Sequence, residues 1–250
     1  MDSKQTGRKR TGLVVALALC CILAVGGVFA WFSATDTKTN TFIQGGGVTE
    51  PEKKPDPTDP EQGQDPNTGT DNNKDDQWII ETEWNENSGI TADSIVAKNP
   101  NVGIGKDSKD AYVFLEVENS LGTNAYFVLG DNWAPVNGEA VEYSGDFDVT
   151  IAQDKQNRCY TSGLFVYIGD DGVGSSEADM AMLVNGSDRD KYTGEAFDKI
   201  YTNKDFGLGA GKTIEIKTYL AAKSHKDENM NDDGVKADIV TKAKAWAKSN

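Results

Sequence analysis

The sequence predicts a mainly β protein: an antiparallel β-sandwich of the jelly-roll or immunoglobulin kind that ends in one helix. Downstream of Trp78, short runs of alternating apolar and polar residues are separated by Gly, Asn and Asp, a pattern typical of half-buried strands. Between residues 235 and 246, apolar residues instead recur at helical spacing. We therefore expect residues 78–250 to form a single sandwich with a docked C-terminal helix.

The clearest strands are expected at residues 111–118 (AYVFLEVE), 146–151 (DFDVTI) and 213–220 (TIEIKTYL). In each of them apolar side chains share one face, so the other face is expected to meet solvent. Weaker candidates are residues 78–84, 125–129, 164–168 and 180–184. The apolar side of the terminal helix is expected to consist of Val235, Ile239, Val240, Ala243 and Trp246.

Residues 1–30 have the features of an export signal. A basic cluster (Lys4, Arg8, Lys9 and Arg10) precedes a run from Leu13 to Phe32 without a charged residue. Val28 and Ala30 form the small-x-small pattern that signal peptidases cut, so cleavage is expected after Ala30, with Trp31 as the new N terminus. The alternative is an uncut N-terminal helix that anchors the chain in a membrane. Either way, the bulk of the chain is expected outside the cytoplasm.

Processing would make the chain strongly acidic. Removal of residues 1–30 takes away four basic residues and one acidic residue, which leaves 21 basic and 39 acidic residues and a formal charge of −18. This charge disfavours nucleic acid and anionic lipid as partners, because their phosphates would be repelled. Only Cys159 would remain, so no internal disulfide is expected. A single cysteine of this kind is usually a small buried hydrophobe, although an exposed one could cross-link two copies.

Two further segments separate the signal from the sandwich. Residues 45–77 hold five of the seven prolines and one large aliphatic residue, Val48, so we expect a disordered, acidic, Pro-rich linker. Residues 31–44 are expected to contain a strand, since alternate positions are β-branched: Thr35, Thr37, Thr39, Thr41 and Ile43. A strand on a tether can fold back onto its own sheet or add to the sheet edge of a neighbouring molecule.

Several segments resemble the TasA and camelysin family of exported proteins, whose signals are cut by the SipW type of signal peptidase. The resembling segments are GGVFAWFSATDTKTNTF (residues 26–42), VAKNPNV (96–102), DAYVFLEVEN (110–119), IEIKTYLAA (214–222) and KAKAWAK near the C terminus. The resemblance implies a β-sandwich exported to the surface or matrix of a Gram-positive bacterium. It also implies fibre formation and a role in biofilm structure.

The residue content argues against an enzyme. His225 is the single histidine of the chain, whereas a zinc protease of the HExxH type needs two histidines one helical turn apart. No glycine-serine-glycine pattern of a nucleophile elbow is present either. A camelysin-like protease is therefore an alternative that only the family resemblance suggests, and we expect no catalytic residues.

No cofactor is expected, and calcium is the one metal ion to consider. Asn229, Asn231, Asp233 and Gly234 reproduce the first half of an EF-hand-type loop, but Val240 occupies the twelfth position, where that loop needs glutamate. An Asx-rich turn that caps the terminal helix accounts for the same pattern and is preferred. Simple turns are also the preferred interpretation of Asp170 with Asp171 and of the sequon-like residues 185–187.

The sequence thus predicts a secreted, non-enzymatic structural protein, a fibre subunit or accessory that assembles by β-strand addition. Its expected partners are the signal peptidase during export and afterwards other copies or matrix and surface proteins. The alternative is a surface adhesin or a module that binds carbohydrate or protein. Sugar binding would be favoured if Trp84, Trp133 and Tyr143 clustered on an exposed face.

Overall fold

The computed structural model describes residues 42–44, 49–71, 78–83, 90–140, 151–170, 172, 174–186, 188–207, 213–222 and 233–249. The predicted signal, with Val28, Ala30 and Trp31, lies outside these residues, and so do His225 and most of the strand predicted at 146–151. Within the described part of the chain, no helix is both long enough and apolar enough to cross a membrane.

The described residues form fourteen strands and one α-helix. The strands are β1 (Phe42–Gln44), β2 (Pro55–Asp56), β3 (Asp59–Gly63), β4 (Ile79–Glu81), β5 (Ile95–Ala97), β6 (Pro100–Ile104), β7 (Ala111–Asn119), β8 (Ala125–Val128), β9 (Trp133–Ala140), β10 (Cys159–Tyr167), β11 (Met182–Leu183), β12 (Lys191–Glu195), β13 (Lys199–Thr202) and β14 (Ile214–Ala222). The helix is α1 (Asp233–Ala247), and short 3-10 turns lie at Gln153–Arg158 and Glu177–Asp179.

Two sheets make up the body. The larger has the order β1-β14-β7-β10-β8-β13-β5, with β11 also beside β7 and β9 also beside β10; the smaller has the order β2-β3-β12-β6-β4. The described pairings are antiparallel except for that of β1 with β14, which is parallel. The prediction of a mainly β, sandwich-like fold with antiparallel sheets and one C-terminal helix is confirmed.

The principal core lies between the two sheets. Val102 and Ile104 of β6 pack in one cluster with Val113, Leu115 and Val117 of β7. Aromatic rings fill the centre of this cluster, where the centroids of Phe127 and Phe197 are 4.3 Å apart. Alternate residues of β7 therefore point into this core, as the period-two pattern predicts.

The prediction of a solvent-facing side is wrong for β7. Its residues are buried without interruption from Ala111 to Val117. Tyr112 and Phe114, on the face opposite the principal core, pack in a second cluster that includes Ile239 and Ala243 of α1. The strand pattern alone could not reveal this cover, because it comes from a helix more than 100 residues later in the chain.

The structure also corrects the linker prediction over residues 49–71. These residues form β2 and β3, and β3 pairs with β12 in the smaller sheet, so the folded body begins before residue 78. The carboxylate of Asp190 holds the segment in place by accepting from the backbone N–H of Lys53 at 2.6 Å. Hydrogen bonds, not large apolar side chains, hold this segment in place. A prediction of disorder from low apolar content therefore fails here. Residues 45–48 and 72–77 lie outside the described part of the chain.

Candidate functional site

The outer edge of β14 is the part of the fold that meets the predicted N-terminal strand segment. β14 pairs along its whole length with β7, from Ile214 opposite Asn119 to Ala222 opposite Ala111. On its other side, β1 sets Phe42, Ile43 and Gln44 opposite Tyr219, Leu220 and Ala221. Among the described residues, no strand lies beside the edge from residue 214 to residue 218, which is more than half of the length of β14.

The two faces of β14 have different surroundings. Ile214, Ile216 and Leu220 belong to the principal core. Tyr219 and Ala221 lie on the opposite face and pack against α1. The side chains of β14 are therefore packed on both of its faces.

The helix α1 covers only part of that second face. Ile239, Val240 and Ala243 are its buried residues, and the ring of Trp246 lies 5.6 Å from that of Tyr219. Burial, together with the nearby charge of Asp238, raises the pKa of Tyr219 to about 12, so its hydroxyl stays neutral. The helix ends one residue after Trp246, and a groove lies over the sheet beyond it.

Charged residues occupy the part of the face beyond the end of α1. The Nζ atom of Lys217 lies 3.1 Å from Oε1 of Glu118 and 3.7 Å from Oε1 of Glu215. Burial acts to lower the pKa of Lys217, but the hydrogen bond to Glu118 and the surrounding carboxylates outweigh it and raise that pKa. Lys217 is therefore a permanent cation held between two carboxylates.

Glu116 is opposite Lys217 in the β7–β14 register, yet it is not among the ion pairs of Lys217 that the structure shows. It is 8% exposed, and its Oε2 atom has no hydrogen-bond partner within the described structure. Burial, followed by the charge of Glu118, raises the pKa of Glu116 to about 7, although Lys217 opposes the shift. At neutral pH this carboxyl is consequently close to half protonated.

The predicted strand-addition residues are only partly within the described structure. Ile43 lies in β1, opposite Leu220 of the same chain, which is the arrangement in which the strand folds back onto its own sheet. Thr35, Thr37, Thr39 and Thr41 lie outside the described residues. Strand addition between molecules therefore stays a prediction.

The aromatic residues considered for sugar binding do not form an exposed cluster in the described structure. Trp133 is fully buried, with its ring 6.1 Å from that of Tyr167 in the principal core. Trp84 and Tyr143 lie outside the described residues. Trp133 is therefore a core residue and is not available to stack on a sugar.

Cys159 is buried beside Tyr126 and Tyr201. Burial raises the pKa of its thiol to about 11, so the reactive thiolate is scarce at neutral pH. In this structure Cys159 fills space in the core, and it is not placed to cross-link two copies.

The turn motifs have structural partners. Asp170 accepts a hydrogen bond from the hydroxyl of Tyr167 and lies 3.4 Å from Lys191. Asn185 donates to the carbonyl of Ser108 at 2.7 Å. Asp233 and Gly234 begin α1, whereas Asn229 and Asn231 lie outside the described residues. No group of three or more His, Cys, Asp or Glu side chains suited to a metal ion occurs in the described part of the chain.

The charged cluster around Lys217 is the feature that the sequence prediction missed. One signal points to it: along one face of β7, Tyr112 and Phe114 are followed by Glu116 and Glu118. Such a change from aromatic to acidic residues on one face marks the place where a cover ends.

No protein-family model, curated protein or solved structure matches this chain. The resemblance to the TasA and camelysin family therefore stays a prediction.

Proposed function

We propose that this protein is an exported structural protein, a subunit or accessory of biofilm-matrix or cell-surface fibres, that assembles by adding its N-terminal strand to the β14 edge of another copy. The parallel pairing of β1 with β14 is the observation that supports this proposal most strongly. Within one chain, this pairing already uses the β14 edge, and the proposal assigns the same edge and the same parallel direction to a strand from another copy. Backbone hydrogen bonds along such an edge supply affinity, while the alternating side chains supply specificity.

The register extends naturally to the threonine-rich segment. Each residue of β1 is opposite the residue 177 positions later in the chain (219 minus 42). At the same offset, Thr37 would stand opposite Ile214 and Thr41 opposite Thr218, so residues 37–41 match the open part of the β14 edge in length. The acceptor edge and the predicted strand are therefore complementary in extent.

The charges also agree with this register. At the same offset, Lys38 would stand opposite Glu215, which is itself opposite Glu118 of β7. A lysine in that position would add a positive charge to a row of two carboxylates, and opposite charges on neighbouring strands are stabilising.

The same pairing can form within one chain or between two chains, as in domain swapping. Gly45, Gly46 and Gly47 follow β1 directly, and glycine allows the backbone a wide range of directions. The chain is anchored again at Thr49, whose carbonyl accepts from the backbone N–H of Gly105 at 2.7 Å. We infer that the exchangeable arm ends at the glycines and that the rest of the chain stays with its own body.

Two experiments test the proposal: deletion of the N-terminal arm (residues 31–44), and its addition as a separate peptide. A chain that begins at residue 45 is expected to stay folded and monomeric, whereas the chain that begins at Trp31 forms polymers measurable by light scattering. A synthetic peptide of residues 31–44 should bind to the truncated chain, and a scrambled peptide of the same composition should not. Polymer growth that continues unchanged without the arm would refute assembly by strand addition.

A disulfide tests the register. Neighbouring strands are roughly 4.8 Å apart, which is within the range of Cα separations that a disulfide accepts. Lys38→Cys combined with Glu215→Cys should therefore cross-link on oxidation, and chains linked to one another should form a ladder on a non-reducing gel. Lys38→Cys alone is the control, since Cys159 is buried. Cross-links confined to single chains would show that the arm folds back onto its own sheet.

A further inference from the structure

A groove of about 540 Å³ lies over the larger sheet, beyond the C-terminal end of α1. Its walls come from β7, β9, β10 and the last turn of α1, and they include Glu116, Glu118, Glu139 and Ser162. Val117, Leu164 and Ala247 add an apolar part to the lining. This combination of a few polar groups with apolar walls is typical of a site for a small ligand.

The Oε2 atom of Glu116 is the central feature of the groove. It belongs to a side chain that is more than nine-tenths buried, and it has no hydrogen-bond partner within the described structure. A buried polar atom of this kind lowers the stability of the fold, because it has lost its hydrogen bonds to water and has not gained a protein partner. Glu116 lines the groove, so a donor bound in the groove would lie beside this carboxyl.

The local charges favour a positively charged donor. Lys217 is already held by Glu118 and Glu215, and Lys244 at the rim lies 3.1 Å from Glu177. The last turn of α1 also borders the groove, and the carbonyl end of a helix carries partial negative charge. Lys217 and Lys244 are thus paired, and the helix end adds to the attraction for a cation. Lys248 also lines the groove, but Glu116, Glu118 and Glu139 outnumber it there.

The described carboxylates do not converge as a metal site would require. An organic cation needs only one buried carboxylate, and its aliphatic stem can lie against apolar walls such as Leu164 and Ala247. We propose that this groove binds an organic cation, a guanidinium or primary ammonium group on a short aliphatic stem, which donates to Glu116.

Titration with N-acetyl-argininamide, followed by NMR or calorimetry at about pH 8 and low salt, tests this site. The wild-type chain should bind this probe saturably, and the neutral isostere N-acetyl-citrullinamide should not bind. Glu116→Gln keeps the shape of the side chain but removes its charge, so it should weaken binding by at least about tenfold.

Glu195→Gln is the matched control. Burial also raises the pKa of Glu195, but its Oε1 atom accepts from Asn99 at 2.9 Å and it lies outside the groove, so binding should be unchanged. Equal binding to Glu116→Gln, equal binding of the citrulline probe, or no saturation of the wild-type chain would each overturn the proposal.

The pH dependence gives a second readout that a structural role alone would not produce. A cation binds the ionised carboxyl, so affinity should fall as the pH falls through about 7, where Glu116 gains its proton. The other charged groups near it are Glu118 on β7, Glu139 on β9, Glu215 and Lys217 on β14, Lys244 on α1, and Lys248 directly after α1. Glu116→Gln should lose this dependence between about pH 6 and pH 8, and a dependence that persists in this variant would assign it to another group.

Discussion

The same two strands, β7 and β14, present two different surfaces on one face of the larger sheet. In the covered half, Tyr112, Phe114 and Tyr219 lie beneath α1. In the open half, Glu116, Glu118, Glu215 and Lys217 lie beyond the end of the helix. The pairing register runs through both halves without a shift. Backbone geometry therefore does not separate the halves, and the difference lies in their side chains and in what covers them.

The covered half is held by packing. The ring centroids of Phe114 and Tyr219 are 5.8 Å apart in an edge-to-face arrangement, and Trp246 of α1 continues this aromatic row. The open half is held by charge, with Lys217 between Glu118 and Glu215. The length of α1 and the change from aromatic to acidic residues are therefore matched. A shorter helix would leave an apolar patch uncovered, and a longer one would cover charged side chains.

Loss of packing in the covered half should give the largest effect. Phe114→Ala removes a fully buried ring and is expected to lower the free energy of unfolding by about 3–5 kcal/mol. Denaturant unfolding measures the loss. Val184→Ala is the control, since Val184 is 55% exposed and its truncation should cost less than about 0.5 kcal/mol. A loss below about 1 kcal/mol for Phe114→Ala would mean that α1 does not seal this half.

Removal of the cation from the open half should rank second. Lys217→Met keeps most of the buried stem but leaves Glu116, Glu118 and Glu215 without their common counter-ion, at an expected cost of about 2 kcal/mol at pH 8. The cost should shrink as the pH falls through about 7, where Glu116 gains its proton. Lys106→Met removes an exposed ion pair with Glu52 and is expected to change stability little. Equal losses in the two variants would mean that solvent screens the open half.

The strands and the helix that the sequence predicted are those with a long regular spacing of apolar residues. β7, β14 and α1 were predictable, because their apolar residues recur at strand or helix spacing over at least nine residues. β12 (KYTGE) and β9 (WAPVNGEA) contain glycine, and β9 also proline, so their composition is typical of loops. Their pairing with longer strands decides their conformation.

The candidate site was only half predictable. The threonine-rich segment stands out in the sequence, but its acceptor edge depends on the spatial order of β14 and β7. The pKa of Glu116 depends on burial that residues from β9, β10 and α1 create together, and these are distant in the chain. The sequence shows that residue 116 is a glutamate, but it does not show the burial that raises the pKa of this side chain.

The pH dependence of stability tests the environment of Glu116. Its folded pKa of about 7 lies above the ordinary value of 4.5, so the carboxyl favours folding only while it is protonated, and stability declines as the pH rises from about 4.5 through 7. Glu116→Gln removes this decline. The variant should match the wild-type chain near pH 4.5 and exceed it by about 1–3 kcal/mol at pH 8, as measured by denaturant unfolding. A constant difference across this range would show that the carboxyl titrates normally.

The solvent-exposed pair Lys242–Asp238 on α1 belongs to neither half and should give the smallest effect. The two side chains are one helical turn apart, with their charged atoms at 2.6 Å, and both are about half exposed. Asp precedes Lys, which is the favourable order in a helix, but water and salt screen the attraction. A double-mutant cycle of Lys242→Ala and Asp238→Ala should give a coupling of about 0.3–0.5 kcal/mol that disappears in high salt. A coupling above about 1 kcal/mol would mean that solvent screens this pair less than its exposure indicates. Exposed charge pairs would then not differ from the buried charges around Lys217.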